Sequence, residues 1–548
     1  MLKPLTPLPD WCRRTAALSL ALMAATSASP IFAESPSPPP GGTPPAAAPG
    51  QAKPNGNDKE KEKEKAKEPE KAADKEKETP RQVQSQHSVV INGTAVSYTA
   101  TAGMMPLKDA EGKTTAEIFF MAYTKDGVAD VTKRPVTFSF NGGPGSSSVW
   151  MHLGLLGPRR VKLKEDGSAL PPPYQLVDNE YSLLDETDLV FIDPVGTGYS
   201  RATKLDEAKR FYGVKEDTAS VAEFIRLYVT KNTRWASPKF LIGESYGTTR
   251  AAALSGELGS KHLMNLNGIM LVSTVLNFQT IWGGPGNDLP HVLYLPSFTA
   301  TAWHHKKLSA ELQKLPLTEV LKQAEAFAMG DYNHALMQGS ALPPATRQAV
   351  LKQLASFTGL TVEYLDRADL RPSLQRFGVE LLRDKDLQIG RFDSRYTGHV
   401  RDRLTETTEG DPSADAVFSA YASTFNHYIR TELKFEEDKP YEILTGSVQP
   451  WNWGAENDFV NVSETLAKSM TKNPFLKVHV SQGYTDLATP YFAAKYTFTH
   501  LDVAPDIAKN LVMDEYQSGH MMYLNLPDLV KQKADLAKFI RGASGAQP

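Results

Sequence analysis

The stretch Leu241–Arg250, LIGESYGTTR, sets a serine between two glycines at the end of an apolar run. The segment KFLI (239–242) has the make-up of a buried strand, and TTRAAALSGEL after the serine has that of a helix. Gly243-Glu244-Ser245-Tyr246-Gly247 is the chain's one G-x-S-x-G pentapeptide. At a strand-to-helix junction the glycines permit a sharp turn that lifts the serine hydroxyl out of the fold. Elsewhere the same five residues would be an ordinary turn, so the neighbouring segments decide the reading.

Those segments alternate. AEIFFMAYTK and PVTFSF read as strands, DLVFID, LNGIMLVS and FLKVHVSQG as buried strands, and KNLVMD as a shorter one. VVINGTAVSYTA carries an Asn-Gly turn between alternating strands, a hairpin signal, and ordered structure is expected to begin near Ser88. Helical spacing fills the intervals, as from Thr218 to Val229, where Asp217 is placed to cap the first turn. Such alternation predicts an α/β protein: a mostly parallel central sheet flanked by helices. The rhythm breaks over 276–438, where LSAELQKLPLTEVLKQAEAFAMG and PPATRQAVLKQLASFTGLT predict a helical cap inserted between core segments 85–275 and 439–548.

A serine hydroxyl is a weak nucleophile and needs a histidine to take its proton and a carboxylate to orient that histidine. In α/β-hydrolases the acid follows a late strand and the histidine the next one. Asp486 follows LKVHV and His520 follows KNLVMD, giving the order Ser245, Asp486, His520. The tetrahedral intermediate also needs amide donors. NGGPGSSS ends an early strand in a glycine-rich turn, and the amides of Gly143 and Tyr246 are the expected pair.

NGGPGSSS, IDPVGTGYS, GESYG, GYTDLATP and GHMMY, taken in order, resemble the signature blocks of the serine carboxypeptidase family, in a divergent bacterial branch. The resemblance implies an α/β-hydrolase fold and a serine-type peptidase that releases C-terminal residues. It implies Ser245, Asp486 and His520 as the triad, and Asn141, Gly142 and Glu244 in substrate binding. Esterase or acyltransferase action on the same fold is the alternative, and a binding protein that keeps only the scaffold is a further one. Two positions depart from the family: Ser146 stands where it usually has cysteine, and Leu155 where an ungapped count puts its second carboxylate-binding glutamate. A lone Glu244 can then be neutral only if burial raises its pKa, which predicts weaker selection for a free carboxylate and a more neutral rate profile.

With 41% hydrophobic residues and a net charge of -3, the chain gives no argument for nucleic acid or an anionic membrane as partner. Arg13 and Arg14, then TAALSLALMAATSA, predict a signal peptide over 1–33, cut after Ala28 or Ala33. No stable membrane insertion is expected once it is removed, and the protein should be periplasmic or secreted. Residues 34–84 are Pro/Ala-rich and then Lys/Glu-rich, a composition too polar to bury a core, and are expected to form a disordered linker. Cys12 precedes the apolar stretch, so the mature protein would hold no disulfide. No metal-ligand spacing is present and no cofactor is expected; His304 and His305 read as a surface pair. Arg391 and Arg395 could reach a substrate carboxylate or form a salt-bridge pair, and Trp451 and Trp453 could wall a pocket or pack the cap.

Overall fold

The computed structural model describes residues 81–545. The leader expected over 1–33 and nearly all of the expected linker lie outside them. The linker's last residues do not: a strand begins at Gln82, six residues before Ser88 and inside the span expected to be linker.

The sheet is built from β1 (Gln82–Ile91), β2 (Thr94–Lys108), β3 (Thr114–Lys125), β4 (Val136–Phe140), β5 (Asp188–Ile192), β6 (Lys239–Glu244), β7 (Gly268–Val272), β8 (Lys477–Gly483) and β9 (Leu511–Tyr516). A two-residue strand, Arg201–Ala202, pairs with β3 and completes a ten-stranded sheet ordered β1-β2-β3-β5-β4-β6-β7-β8-β9. Asn92 and Gly93, both at positive φ, make the expected hairpin turn between β1 and β2. The first three strands run antiparallel, and every pairing from β5 to β9 is parallel. β4 to β7 are short and fully buried, as strands covered on both faces must be. This is the α/β-hydrolase layout, with the carboxyl ends of β6, β8 and β9 on one edge.

Two apolar layers cover the faces. One packs helix Leu526–Ala543 and helix Phe418–Thr431 against β3, β5 and β6; the other packs helices Val214–Lys231 and Tyr246–Lys261. Helix Val214–Lys231 starts four residues earlier than expected and has Gly213 as its cap. Asp217 therefore lies within the helix, where its buried carboxylate is taken by Arg250 Nε at 2.7 Å.

Between β7 and β8 the chain forms helices Leu289–His304, Leu317–Phe327 and Pro344–Thr358 around a core of their own, with Gly359 closing the last in a left-handed turn. That core includes Leu487, Tyr491 and Phe492, so the helical segment is fused to the segment after β8. A short antiparallel pair, Leu387–Ile389 with Thr397–His399, also lies there. Among the described residues no helix is long and apolar enough to cross a membrane.

Candidate active site

β6 ends at Glu244 and helix Tyr246–Lys261 begins one residue after Ser245, so the serine is the whole of the turn. Its backbone sits at φ 61° and ψ -131°, a region that side-chain-bearing residues rarely occupy. Close packing explains the flanking glycines. A Cβ on Gly243 would lie 2.1 Å from the Gly247 carbonyl oxygen, and one on Gly247 would lie 2.8 Å from that of Phe140. The crossing forces the chain to reverse sharply at Ser245, which is part-exposed while both its neighbours are buried.

Asp486 follows β8 and His520 follows β9. The His520 Nδ1–H donates to Asp486 Oδ2 at 2.8 Å, with both side chains buried. Asp486 also accepts from the amides of Ala488 (2.8 Å) and Thr489 (2.9 Å) and from the Thr489 hydroxyl (2.7 Å). Four donors fix its plane, and the bond to Nδ1 leaves Nε2 as the acceptor nitrogen. Burial pulls the imidazole pKa down, but the carboxylates of Asp486 and Glu244 more than offset this, and the net direction is up. Ser273 ties histidine to serine: its hydroxyl donates to the His520 carbonyl at 2.6 Å, and the Ser245 amide donates to the preceding Val272 carbonyl at 3.0 Å.

The glycine-rich turn after β4 lies against the start of the serine helix. Gly143 adopts φ 100°, and a Cβ on Gly142 would come within 2.5 Å of the Tyr246 amide nitrogen. Among the described residues the amides of Gly143 and Tyr246 donate to no backbone carbonyl or side chain. Arg250 holds the turn from beneath, donating to the Asn141 carbonyl at 2.6 Å while paired with Asp217. Asn141 Nδ2 in turn donates to Glu244 Oε1 at 2.9 Å. Burial pushes the Glu244 carboxyl up to about 7, against the pull of His520, Tyr523 and Asn141.

Of the two arginines at 391 and 395, Arg395 is committed to Asp393, with Nη2–Oδ2 at 2.6 Å. Arg391 is exposed, and its guanidinium lies 5.4 Å from the Phe392 ring, which itself packs 5.1 Å from the His520 ring. Trp451 and Trp453 pack edge-on to Tyr246, at 5.5 and 5.9 Å. His305 is more than a surface residue, since its Nε2 meets the Ser394 carbonyl at 2.7 Å. Among the described residues no His, Cys, Asp or Glu group is arranged to hold a metal. A groove of about 960 Å³ beside helix Ser463–Lys472 is lined by Trp453 but by none of Asn141, Gly142, Gly143, Glu244, Ser245, Tyr246, Asp486 and His520.

Sequence reasoning gave no role to Arg250 or to Asp393. Arg250 carried a signal, as the single charge early in the helix after the serine. Asp393 carried none, because its contacts to Thr485 and Gly519 lie far away in the chain.

A sequence profile described as serine carboxypeptidase matches residues 92–522. Over 156 residues the chain is 34% identical to the pheromone-processing carboxypeptidase KEX1 of Saccharomyces cerevisiae, covering 26% of this chain and 20% of that protein. Over 204 residues it is 26% identical to serine carboxypeptidase-like 29 of Arabidopsis thaliana, covering 34% of this chain and 40% of the relative. The matched stretches thus span under half the length of either curated relative. The solved structure of Kex1(Δ)p, a prohormone-processing carboxypeptidase from S. cerevisiae, shares the fold, with a TM-score of 0.53 at 16% identity over 81% of this chain and 92% of that one. The profile runs from the hairpin turn to the loop after β9 and takes in Asn141, Gly142, Gly143, Glu244, Ser245, Tyr246, Asp486 and His520, and on that match the chain belongs to the serine carboxypeptidase family.

Proposed function

We propose that the protein is a serine-type carboxypeptidase in which Ser245 is the nucleophile, His520 the general base and then acid, and Asp486 its orienting carboxylate. What supports this is that a serine at φ 61° and a histidine hydrogen-bonded to a buried aspartate follow the carboxyl ends of parallel strands of one sheet, with Ser273 bridging toward both. His520 Nε2 takes the Ser245 proton as Oγ adds to the scissile carbonyl. The developing oxyanion is held by the amides of Gly143 and Tyr246, which donate to no other protein group. Protonated His520 then gives its proton to the leaving amine, and water, activated by the same nitrogen, cleaves the acyl-enzyme. Asn141, Gly142 and Glu244 adjoin the nucleophile and are assigned to the substrate's terminal carboxylate. These steps call on no cofactor.

A fluorophosphonate probe tests the nucleophile. Labelling should be lost in Ser245→Ala and slowed by roughly 10⁴-fold or more in His520→Ala. Equal labelling of wild type and Ser245→Ala would move the nucleophile elsewhere. Mass analysis of a mixed peptide library should then show loss of single C-terminal residues; turnover of esters alone would favour the esterase reading. Export is proposed from the leader's composition, and N-terminal sequencing of exported protein should start near Ser29 or Glu34.

A further inference from the structure

Leu155 is fully buried within a π-helical turn, His152–Leu156, so no second carboxyl stands there to share a proton with Glu244. Two tyrosines from distant segments surround Glu244 instead. Tyr523 follows His520 by three residues, and its hydroxyl faces both Glu244 and Asn141. Tyr421, on helix Phe418–Thr431, lies within electrostatic reach of Glu244 and Tyr523. Gly154 makes the room: a Cβ there would lie 2.5 Å from Tyr523 Cε2 and 2.6 Å from the Tyr421 hydroxyl.

The polar atoms of this cluster are not satisfied. Glu244 Oε2 and the hydroxyls of Tyr523 and Tyr421 are sealed from solvent, and none has a well-formed hydrogen bond among the described residues. A buried acceptor and two buried donors left open are costly to the fold, and such groups cluster where function requires them. Apart from the tyrosines, the ionisable groups acting on Glu244 are His520 and Asp486, both already engaged with each other. Among the described residues Tyr523 is thus an uncommitted donor that faces the carboxyl.

We propose that Tyr523 is a positioning residue that replaces the missing second carboxyl, its phenol setting the protonation of Glu244 and through it the selection for substrates with a free C-terminal carboxylate. The proposal rests on the carboxypeptidase reading for its substrate, but not for the state of Glu244. Paired acids can share a proton, whereas a phenol with an ordinary pKa near 10 can only donate. A phenol O–H facing a carboxyl favours its ionised form, so Tyr523 loosens the grip on an anionic peptide end as pH rises.

Tyr523→Phe removes one oxygen and keeps the ring. For a blocked dipeptide acid, its KM at pH 8 should fall by several-fold, to ~10-fold for a lost bond to a charged group. The kcat and the KM for the dipeptide amide should stay put. A packing defect alone would raise both KM values, and either that or an unchanged KM for the acid overturns the proposal. Difference infrared spectroscopy supplies a readout without substrate: the protonated-carboxyl band absent from Glu244→Gln should titrate at higher pH in Tyr523→Phe. Should that variant not fold, fluorotyrosine at 523, a stronger donor, should move the band to lower pH. A band that does not move refutes the proposal even where peptides are cleaved. A band that moves in a protein that cleaves no peptide leaves it standing and refutes the carboxypeptidase reading instead.

Discussion

Glu244 and Ser245 are neighbours with opposite environments, one sealed in the core and one partly exposed. In the proposed mechanism, substrate binding by a carboxyl would require Glu244 protonated, and proton abstraction would require His520 neutral. With Glu244 pushed up to about 7 by burial, and His520 carried above its ordinary 6.5 by Asp486 despite its burial, both conditions hold only around neutrality. The expected kcat/KM profile for a peptide acid is a narrow bell centred near pH 7, while the C-terminal amide, which does not need Glu244 protonated, keeps the acidic limb and lacks the basic one. The two apparent pKa values belong to the coupled pair rather than to either residue. A maximum at about pH 4–5 would refute this, since His520 would then be charged. The same shift acts on stability. Folded Glu244 keeps its proton up to about 7 whereas the unfolded chain releases it near 4.5, so its stabilising contribution is full below 4.5 and lost as pH rises through 7. Glu244→Gln removes that loss, and its Tm should exceed wild type at pH 8 and match it at pH 4. The need for burial of Glu244 was legible in the sequence once Leu155 was noticed; the two tyrosines were not, because nothing local marks 421 or 523 as neighbours of 244.

The carboxyl ends of β8 and β9 carry Asp486 and His520 on loops that need outside support, and the segment Arg391–Arg395 supplies it. The Leu487 amide donates to the Arg391 carbonyl at 3.1 Å and the His520 amide to the Phe392 carbonyl at 2.6 Å. Asp393 accepts from the Gly519 amide at 3.0 Å and from the Thr485 hydroxyl at 2.9 Å, and Arg395 neutralises it. One irregular segment of the inserted region thus holds the loops that carry Asp486 and His520 in register. Asp393→Asn keeps the shape but leaves Arg395 without a counter-charge and one loop contact short. The kcat should fall by about 10²-fold, the scale of a displacement near 1 Å, with KM little changed. Urea unfolding should show a loss on the order of 3 kcal/mol for a buried pair broken on one side. An unchanged kcat would show that the loops hold themselves. Strand identities along 239–272 and 477–516 were legible because each is a short apolar run closed by turn residues. The strap was not, because GRFDSRY has no period and its partners lie over 90 residues away.

At the scale of the whole molecule, the sheet's first edge decides where the folded body begins. Residues 34–80 have the composition of a solvated spacer, but Arg81 belongs to the fold. Its carbonyl accepts from Met104 at 2.9 Å, its guanidinium lies 4.5 Å from the Phe435 ring, and it pairs with Glu437 at 3.2 Å. The boundary was misread because β1 has a single apolar residue, Val83, before Val89, so its period is nearly invisible to hydrophobicity: only Val89 and Ile91 are fully buried along its ten residues. What holds β1 is the backbone ladder to β2, from Gln82–Gly103 to Ile91–Thr94. Two truncations separate these contributions. Removal of residues 1–80 should leave kcat/KM and Tm nearly unchanged, because no contact described here is lost. Removal of 1–91 strips the ladder and the two buried side chains, worth about 1.5–3 kcal/mol each in apolar burial. It also leaves β2 as a long unpaired edge, which invites association between chains. That variant should melt lower and sediment as larger species at high concentration while retaining fluorophosphonate labelling, since Ser245 lies across four intervening strands of the sheet from β1. A 1–80 truncation that melts several degrees lower would show that the charged segment packs on the body after all.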